Sequence, residues 1–378
     1  MVSSIRNSWD LVCYKSWDFK NRGRISSLSR KEVTCLPVSV LEPSQAFEQL
    51  LLNHTPKEVT APEAMITVCN DSHSDFILLG FSEKPYLEKI LFWVVLIFYC
   101  LTLAGNMVII LVSSKDPKLH IPMYFFLCNL SLLDLSFTSS CVPQMLVNFW
   151  GPEKTISYIG CAFQLYVFLW LGATECVLLV VMAMDRYVAV CHPLQYTAIM
   201  HPKFCLQLAI LAWGAGLVQS LVQSPATLQL PFCSHRRVDD IVCEVPALIQ
   251  ASSADTTYNE IQMSIASIIF LVLPLVIILS SYGAVAKAVL RIKSAAGQRK
   301  AFSTCTSHLL VVSLFYGTVT AVYLQPKNRY AQEQGKFLTL FYTVATPALN
   351  PLIYTLRNRE VKGALIRLGR RTWDSQNN

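Results

Sequence analysis

Apolar residues in this chain do not alternate with polar ones; they run on in long blocks. A helix needs about 20 such residues to cross a bilayer. Seven stretches qualify: Leu87 to Val112, Tyr124 to Asn148, Ala162 to Met184, Phe204 to Ser224, Ile261 to Val285, Thr304 to Leu324 and Phe337 to Tyr354. The second and seventh are the least apolar. Most intervening loops are short, and one, Pro225 to Glu260, is long and polar. The pattern predicts an all-α fold, a seven-transmembrane helix bundle. Past Tyr354, "LRNREVKGALIRLGRR" interleaves basic and apolar residues, which suits a short amphipathic C-terminal helix lying on an anionic leaflet. No internal repeat is visible, as many transporters would require.

Composition points to the same solvent. Of 378 residues, 53% are hydrophobic and 15% charged, against about 25% charged in soluble domains. The net charge of +7 does not call for nucleic acid, because the basic residues sit in short loops between apolar runs. They crowd one side: Lys115, Lys118, Lys203, Lys287, Arg291, Lys293, Arg299, Lys300 and the tail arginines, against Lys154, Arg236, Arg237, Lys327, Arg329 and Lys336 on the other. The positive-inside rule then sets the N-terminus outside and the C-terminus in the cytoplasm of a multi-pass membrane protein. Several of the 13 cysteines, Cys100, Cys128, Cys141, Cys176 and Cys305 among them, lie within apolar runs as small hydrophobes, and no His/Cys spacing indicates zinc.

Residues 1–64 do not fit this pattern. They are polar, lack a signal-peptide core, and are expected to be a disordered extension. Met65 is a candidate second start, which makes 65–86 a short extracellular segment with a glycosylation acceptor at Asn70. Residues 87–356 form the helical domain and 357–378 the cytoplasmic tail.

Polar groups inside a bilayer are costly and are functional candidates by default. Asn106, Asp134, Glu175 and Asn350 are expected to share a buried polar core, suited to a sodium ion, a water cluster or a shared proton, or else serving as hydrogen-bond glue between helices. Glu175 and Arg186 are eleven residues apart, about three turns and roughly 16 Å along one helix face. Phe168 lies on that face too. Asp185 immediately before Arg186 suggests an ion pair that can open and close.

"MAMDRYVAVCHPLQY" resembles the third-helix signature of G protein-coupled receptors in its odorant-receptor form. Other motifs follow in the same order: "GN" at Gly105, "PMYFFLCNLSLLDLSF" from Pro122, "SY" at Ser281, "KAFSTCTSHL" from Lys300 and "PALNPLIYTLRN" from Pro347. Over about Asp75 to Gly369 the chain is similar to tetrapod-type olfactory receptors. The resemblance implies a switch built on Asp185, Arg186 and Tyr187, closed by pairing in the inactive state. On activation the sixth helix swings out, Arg186 faces a heterotrimeric G protein of the stimulatory class, and Tyr282 and Tyr354 fill the space. Pro351, after Asn350, fits a local weakness in the seventh helix, or simply ends the span. The resemblance also implies a bridge between Cys161 and Cys243 that folds the long loop over the pocket. A further loop bridge is expected from Cys233, but its partner position holds Ser253.

The ligand follows from what the outer halves of the spans lack. They carry no charge, and Phe168 stands where amine receptors of this class place an acid. The pocket should therefore take a small, neutral, mostly apolar volatile molecule. Tyr316, Thr320 and Tyr323 share one face of the sixth span. By the family pattern they oppose Phe168, Leu169, Gly172 and Ala173 on the third and Met263, Ala266 and Ser267 on the fifth. The expected function is an odorant-type receptor that raises cyclic AMP, without cofactor beyond a possible sodium ion. A transporter or channel would need repeats or a charged pathway. An intramembrane enzyme would need a nucleophile and base, and His308 has no acid beside it in sequence.

Overall fold

The computed structural model describes residues 75–232, 236–323, 333–357 and 360–367. The expectations for residues 1–64, for Asn70, for Cys233 and for the end of the tail lie outside these residues. Seven long helices dominate: α1 (Pro85–Lys115), α2 (Pro122–Trp150), α3 (Tyr158–Cys191), α4 (Pro202–Leu228), α5 (Thr257–Leu290), α6 (Ala295–Tyr323) and α7 (Glu333–Thr355). Each carries a stretch long and apolar enough to cross a membrane. Prolines open α1, α2 and α4, where the missing N–H would have had no partner anyway. Ser157 caps α3, its hydroxyl accepting from Gly160 N at 3.0 Å.

Burial sorts the helices. The most apolar stretch of α3 is 67% buried and those of α2 and α7 61%, while those of α1 and α5 are 22% buried. So α3 is the central post, and α1 and α5 turn Trp93, Ile97, Ile265 and Ile268 outward, as a lipid-facing surface should. The α3–α4 contact is closest at Gly216, where an added Cβ would lie 2.4 Å from Trp170 O and against Thr174. Hydrogen bonds brace it: Ser220 Oγ donates to Tyr166 O at 2.7 Å, and Trp170 Nε1 to Trp213 O at 3.0 Å.

Two helices widen into a single π turn, Ile268–Val272 in α5 and Phe341–Ala345 in α7. Pro274 and Pro347 follow within a turn. Proline cannot close the ordinary backbone bond, and the wider turn absorbs the mismatch.

One feature departs from an all-helical reading. Strands β1 (Phe76–Leu78), β2 (Thr155–Ile156) and β3 (Arg237–Val238) form a small sheet in the order β2-β1-β3, β1 running antiparallel to β2 and parallel to β3. It ties the segment before α1 to the α2–α3 and α4–α5 loops. The α4–α5 loop also differs from its polar appearance. A short helix, Val245–Ala251, and the residues before it from Asp240 are largely buried. At the other end of the bundle, residues 360–367 are helical. Val361 and Ala364 are buried, and Arg367 Nε donates to Asp116 Oδ2 at 3.0 Å. Asp116 lies in the α1–α2 loop; burial raises its carboxyl, but the bonds and charge of Arg367 and Lys118 outweigh that and hold it below the usual carboxylate range.

Candidate functional site

At the end of α3, Arg186 turns back on its neighbour. Its Nε donates to Asp185 Oδ2 at 2.9 Å, and its Nη2 contacts the same oxygen. The other oxygen of this buried acid accepts from Tyr196 Oη at 2.7 Å. Tyr196 starts the short helix Tyr196–Ile199. Nothing in the sequence marks its role, although it closes the "CHPLQY" stretch that follows the acid–arginine pair. Tyr187 Oη lies 3.4 Å from His192 Nε2. Tyr282 shares a 2.7 Å hydrogen bond with His308 Nδ1, which links α5 to α6. Tyr354 is buried. The acid–arginine pair is therefore closed.

Toward the middle, Asn350 Nδ2 reaches both oxygens of Asp134, at 3.1 and 3.3 Å. Asn106 Nδ2 donates to Thr102 O at 3.1 Å and Pro347 O at 3.2 Å. A Cβ on Gly105 would sit 2.8 Å from Pro351 Cγ. The "GN" and "NP" motifs, far apart in sequence, thus touch. Glu175 departs from the expected arrangement. It acts on Asp134 through space, but it lines a cavity, and its Oε1 has no hydrogen-bond partner.

That cavity lies between α3, α5 and α6 and encloses about 670 Å³ free of protein atoms, part of it open to solvent. Phe168, Leu169, Gly172 and Ala173 line it from α3, and Met263, Ala266 and Ser267 from α5. On α6 the expected face needs correction. Among the described residues, Phe315, Val319 and Tyr323 line the cavity, and Tyr316 and Thr320 do not. Tyr316 is buried against α3, its hydroxyl donating to Cys176 O at 3.0 Å. The helix is turned by about one residue, or 100°, and Tyr323 sits at the edge common to both faces. The expectation of a wall without acid or base also needs correction, because Glu175 is part of it. Gln219 and Gln223 of α4, Phe137 of α2 and Tyr342 of α7 also line it. Nothing in sequence marked these four, since neutral polar and aromatic residues are common in any span.

The loop before α5 closes this end. Cys161 and Cys243 are disulfide-bonded, with Cα atoms 5.4 Å apart. Cys243 N donates to Gln164 Oε1 at 2.7 Å. Lys336 of α7 contacts Asp239 and donates to Gly80 O at 2.7 Å, joining the loop to the segment before α1. Among the described residues no cluster of three His, Cys, Asp or Glu could hold a metal.

A seven-helix membrane bundle with a cavity under a disulfide-held loop, and an acid–arginine pair at the opposite end of its central helix, is the architecture of a G protein-coupled receptor. The family model described as "Olfactory receptor" matches residues 95–370. The human Olfactory receptor 2H2 is 66% identical over 80% of this chain and 96% of its own length. Human Olfactory receptor 2H1 is 63% identical (82% and 98% covered), and mouse Olfactory receptor 2C1 is 60% identical (79% and 96% covered). The chain belongs to the olfactory receptor family. It is a multi-pass receptor of the plasma membrane and not an enzyme.

Proposed function

We propose that the cavity binds a small, neutral, mostly apolar volatile molecule and that binding activates a stimulatory, olfactory-type G protein to raise cyclic AMP. The observation that carries this reading is the cavity wall: aromatic and aliphatic over most of its surface, with a few convergent hydrogen-bonding groups. Ser267 Oγ is already donating to Met263 O at 2.8 Å, so it offers a ligand an acceptor. The loop end faces outside and the Asp185 end the cytoplasm, following the distribution of Lys and Arg. A sodium ion belongs to the same proposal. Asn106 Oδ1 and Asn350 Oδ1 are buried without hydrogen-bond partners, and with the Asp134 carboxyl beside Asn350 they offer hard oxygen donors that suit such a cation.

A cyclic AMP reporter assay against a panel of volatile alcohols, aldehydes, ketones and esters tests the reading. Tyr323→Phe removes from the wall a hydroxyl that donates to Glu244 and can accept from a ligand. It should shift the half-maximal concentration of responding compounds by about tenfold, the equivalent of one hydrogen bond, with surface staining unchanged. Identical dose–response curves across the panel would count against it.

A further inference from the structure

The loop over the cavity carries two acids that face inward. Asp240 and Glu244 are 1% and 0% exposed, and their carboxyl groups lie close enough to interact directly. Two ionised carboxylates side by side in a buried site repel, and the strain is relieved when one of them holds a proton. Glu244 also accepts from Tyr342 Oη at 2.5 Å and from the hydroxyl of Tyr323. Both tyrosines line the cavity. Thr339 Oγ1 approaches Glu244 at 3.5 Å. Asp240 Oδ1 accepts from Ile241 N at 2.6 Å.

The other charged and titratable neighbours are few. Lys336 of α7 contributes positive charge near Asp240, but its ammonium contacts Asp239 and Gly80 O. Asp239 adds negative charge, and Cys141 of α2 feels Glu244 from below. The ammonium of Lys336 is thus shared with Asp239 and a backbone carbonyl, and a proton on the pair lowers the remaining negative charge.

We propose that Asp240 and Glu244 act as one proton-sharing pair that positions Tyr323 and Tyr342 in the cavity wall, so that the loop's hold on the cavity depends on the pH of the medium. The inference rests on the cavity being the ligand site. Burial pushes the Asp240 carboxyl up to about 7, against the opposing pull of the Ile241 N–H and Lys336. Burial, then the charge of Asp240, pushes Glu244 up as well. An acid raised in the folded state keeps a proton that the unfolded chain releases. The stability it contributes is greatest at low pH, falls as pH rises from about 4 to about 7, and is level above that. Once the proton is lost, two carboxylates repel at close range, and Glu244 loosens from the tyrosines.

The test uses the full-length receptor in lipid nanodiscs and needs no ligand. Infrared spectra recorded from about pH 5.5 to about pH 8.5 should show a protonated-carboxyl carbonyl band that disappears as pH rises. The part of the band that the pair contributes should be missing from Asp240→Asn, leaving only what other buried acids such as Glu175 supply. In Tyr342→Phe, which keeps the pair but removes a bond to it, the band should remain and change frequency. The thermal unfolding midpoint should fall by several degrees over the same range in the wild type and stay level in Asp240→Asn. Wild-type spectra without a titrating band, or a band that persists unaltered in Asp240→Asn, would overturn the proposal. If Asp240→Asn does not fold, an unshifted band in Tyr342→Phe overturns it and a shifted band supports it. A silent odorant panel would remove the receptor reading without touching these spectra, and flat spectra would remove only the lid pair.

Discussion

Arg186→Ala should abolish the agonist-driven cyclic AMP signal, and Asp185→Asn should raise the signal without agonist. The two substitutions break the same bond, and a purely structural bond would make both variants weaker. A latch predicts opposite signs. With Arg186 gone, Asp185 keeps its 2.7 Å bond from Tyr196, so the acid is not left unsatisfied and the helix end can persist. What is lost is the guanidinium that, by the family resemblance, faces the G protein in the active state. With Asp185 neutralised, Arg186 loses its bonded carboxylate and the open state gains relative weight. A basal signal raised several-fold corresponds to about 1 kcal/mol of bias. Agonist response in Arg186→Ala should fall at least about tenfold, near the 1.4 kcal/mol that such a factor represents. Surface staining of both variants, read beside the reporter, separates signalling from expression. A full response in Arg186→Ala would refute the latch.

Gly216→Ala carries the largest expected cost to folding. Its Cβ would meet Thr174 Oγ1, would stand 2.4 Å from Trp170 O and would be 2.9 Å from Thr174 N. Two of these are backbone atoms of the central helix, which cannot rotate away as a side chain can. Helices α3 and α4 must therefore separate, straining the Ser220 and Trp170 bonds between them. Overpacking of this kind costs about 1–3 kcal/mol, and in a membrane close approach at small residues is a principal source of helix association. Gly214→Ala supplies the control, because a Cβ there meets nothing within 4 Å. The thermal midpoint of the purified receptor should drop clearly for the first variant and hardly move for the second. Equal midpoints would contradict the packing described for this pair.

The seven spans were legible because lipid demands long apolar runs, and no other element leaves so plain a trace. Their ends were not. Helix α3 runs from Tyr158 to Cys191, beyond the apolar stretch at both ends, since a helix can continue into the polar layer once started. The sheet was hidden because strands of two or three residues are too short to show alternation. The Asp185–Arg186 pair could be anticipated from adjacency and motif, whereas its third member, Tyr196, needed the turn after α3. The Cys161–Cys243 bridge came from resemblance alone. Tyr316 and Thr320 show the limit of periodicity: it groups residues on one face but does not say which neighbour that face meets. Glu175 shows the same limit. Its stripe along α3 was readable, yet its opening into the cavity depends on α5 and α6.

The most direct test of the whole account fills the cavity and reads the far end. Gly172 lines the cavity, and a Cβ there meets nothing within 4 Å, so Gly172→Leu adds bulk to the space from a starting point that touches no neighbour. Cyclic AMP dose–response curves to the volatile panel, in cells matched for surface receptor, should show responses in the wild type that are lost or displaced to much higher concentration in Gly172→Leu. Unchanged curves in the filled variant would mean that the ligand acts elsewhere and that the cavity does not drive the switch.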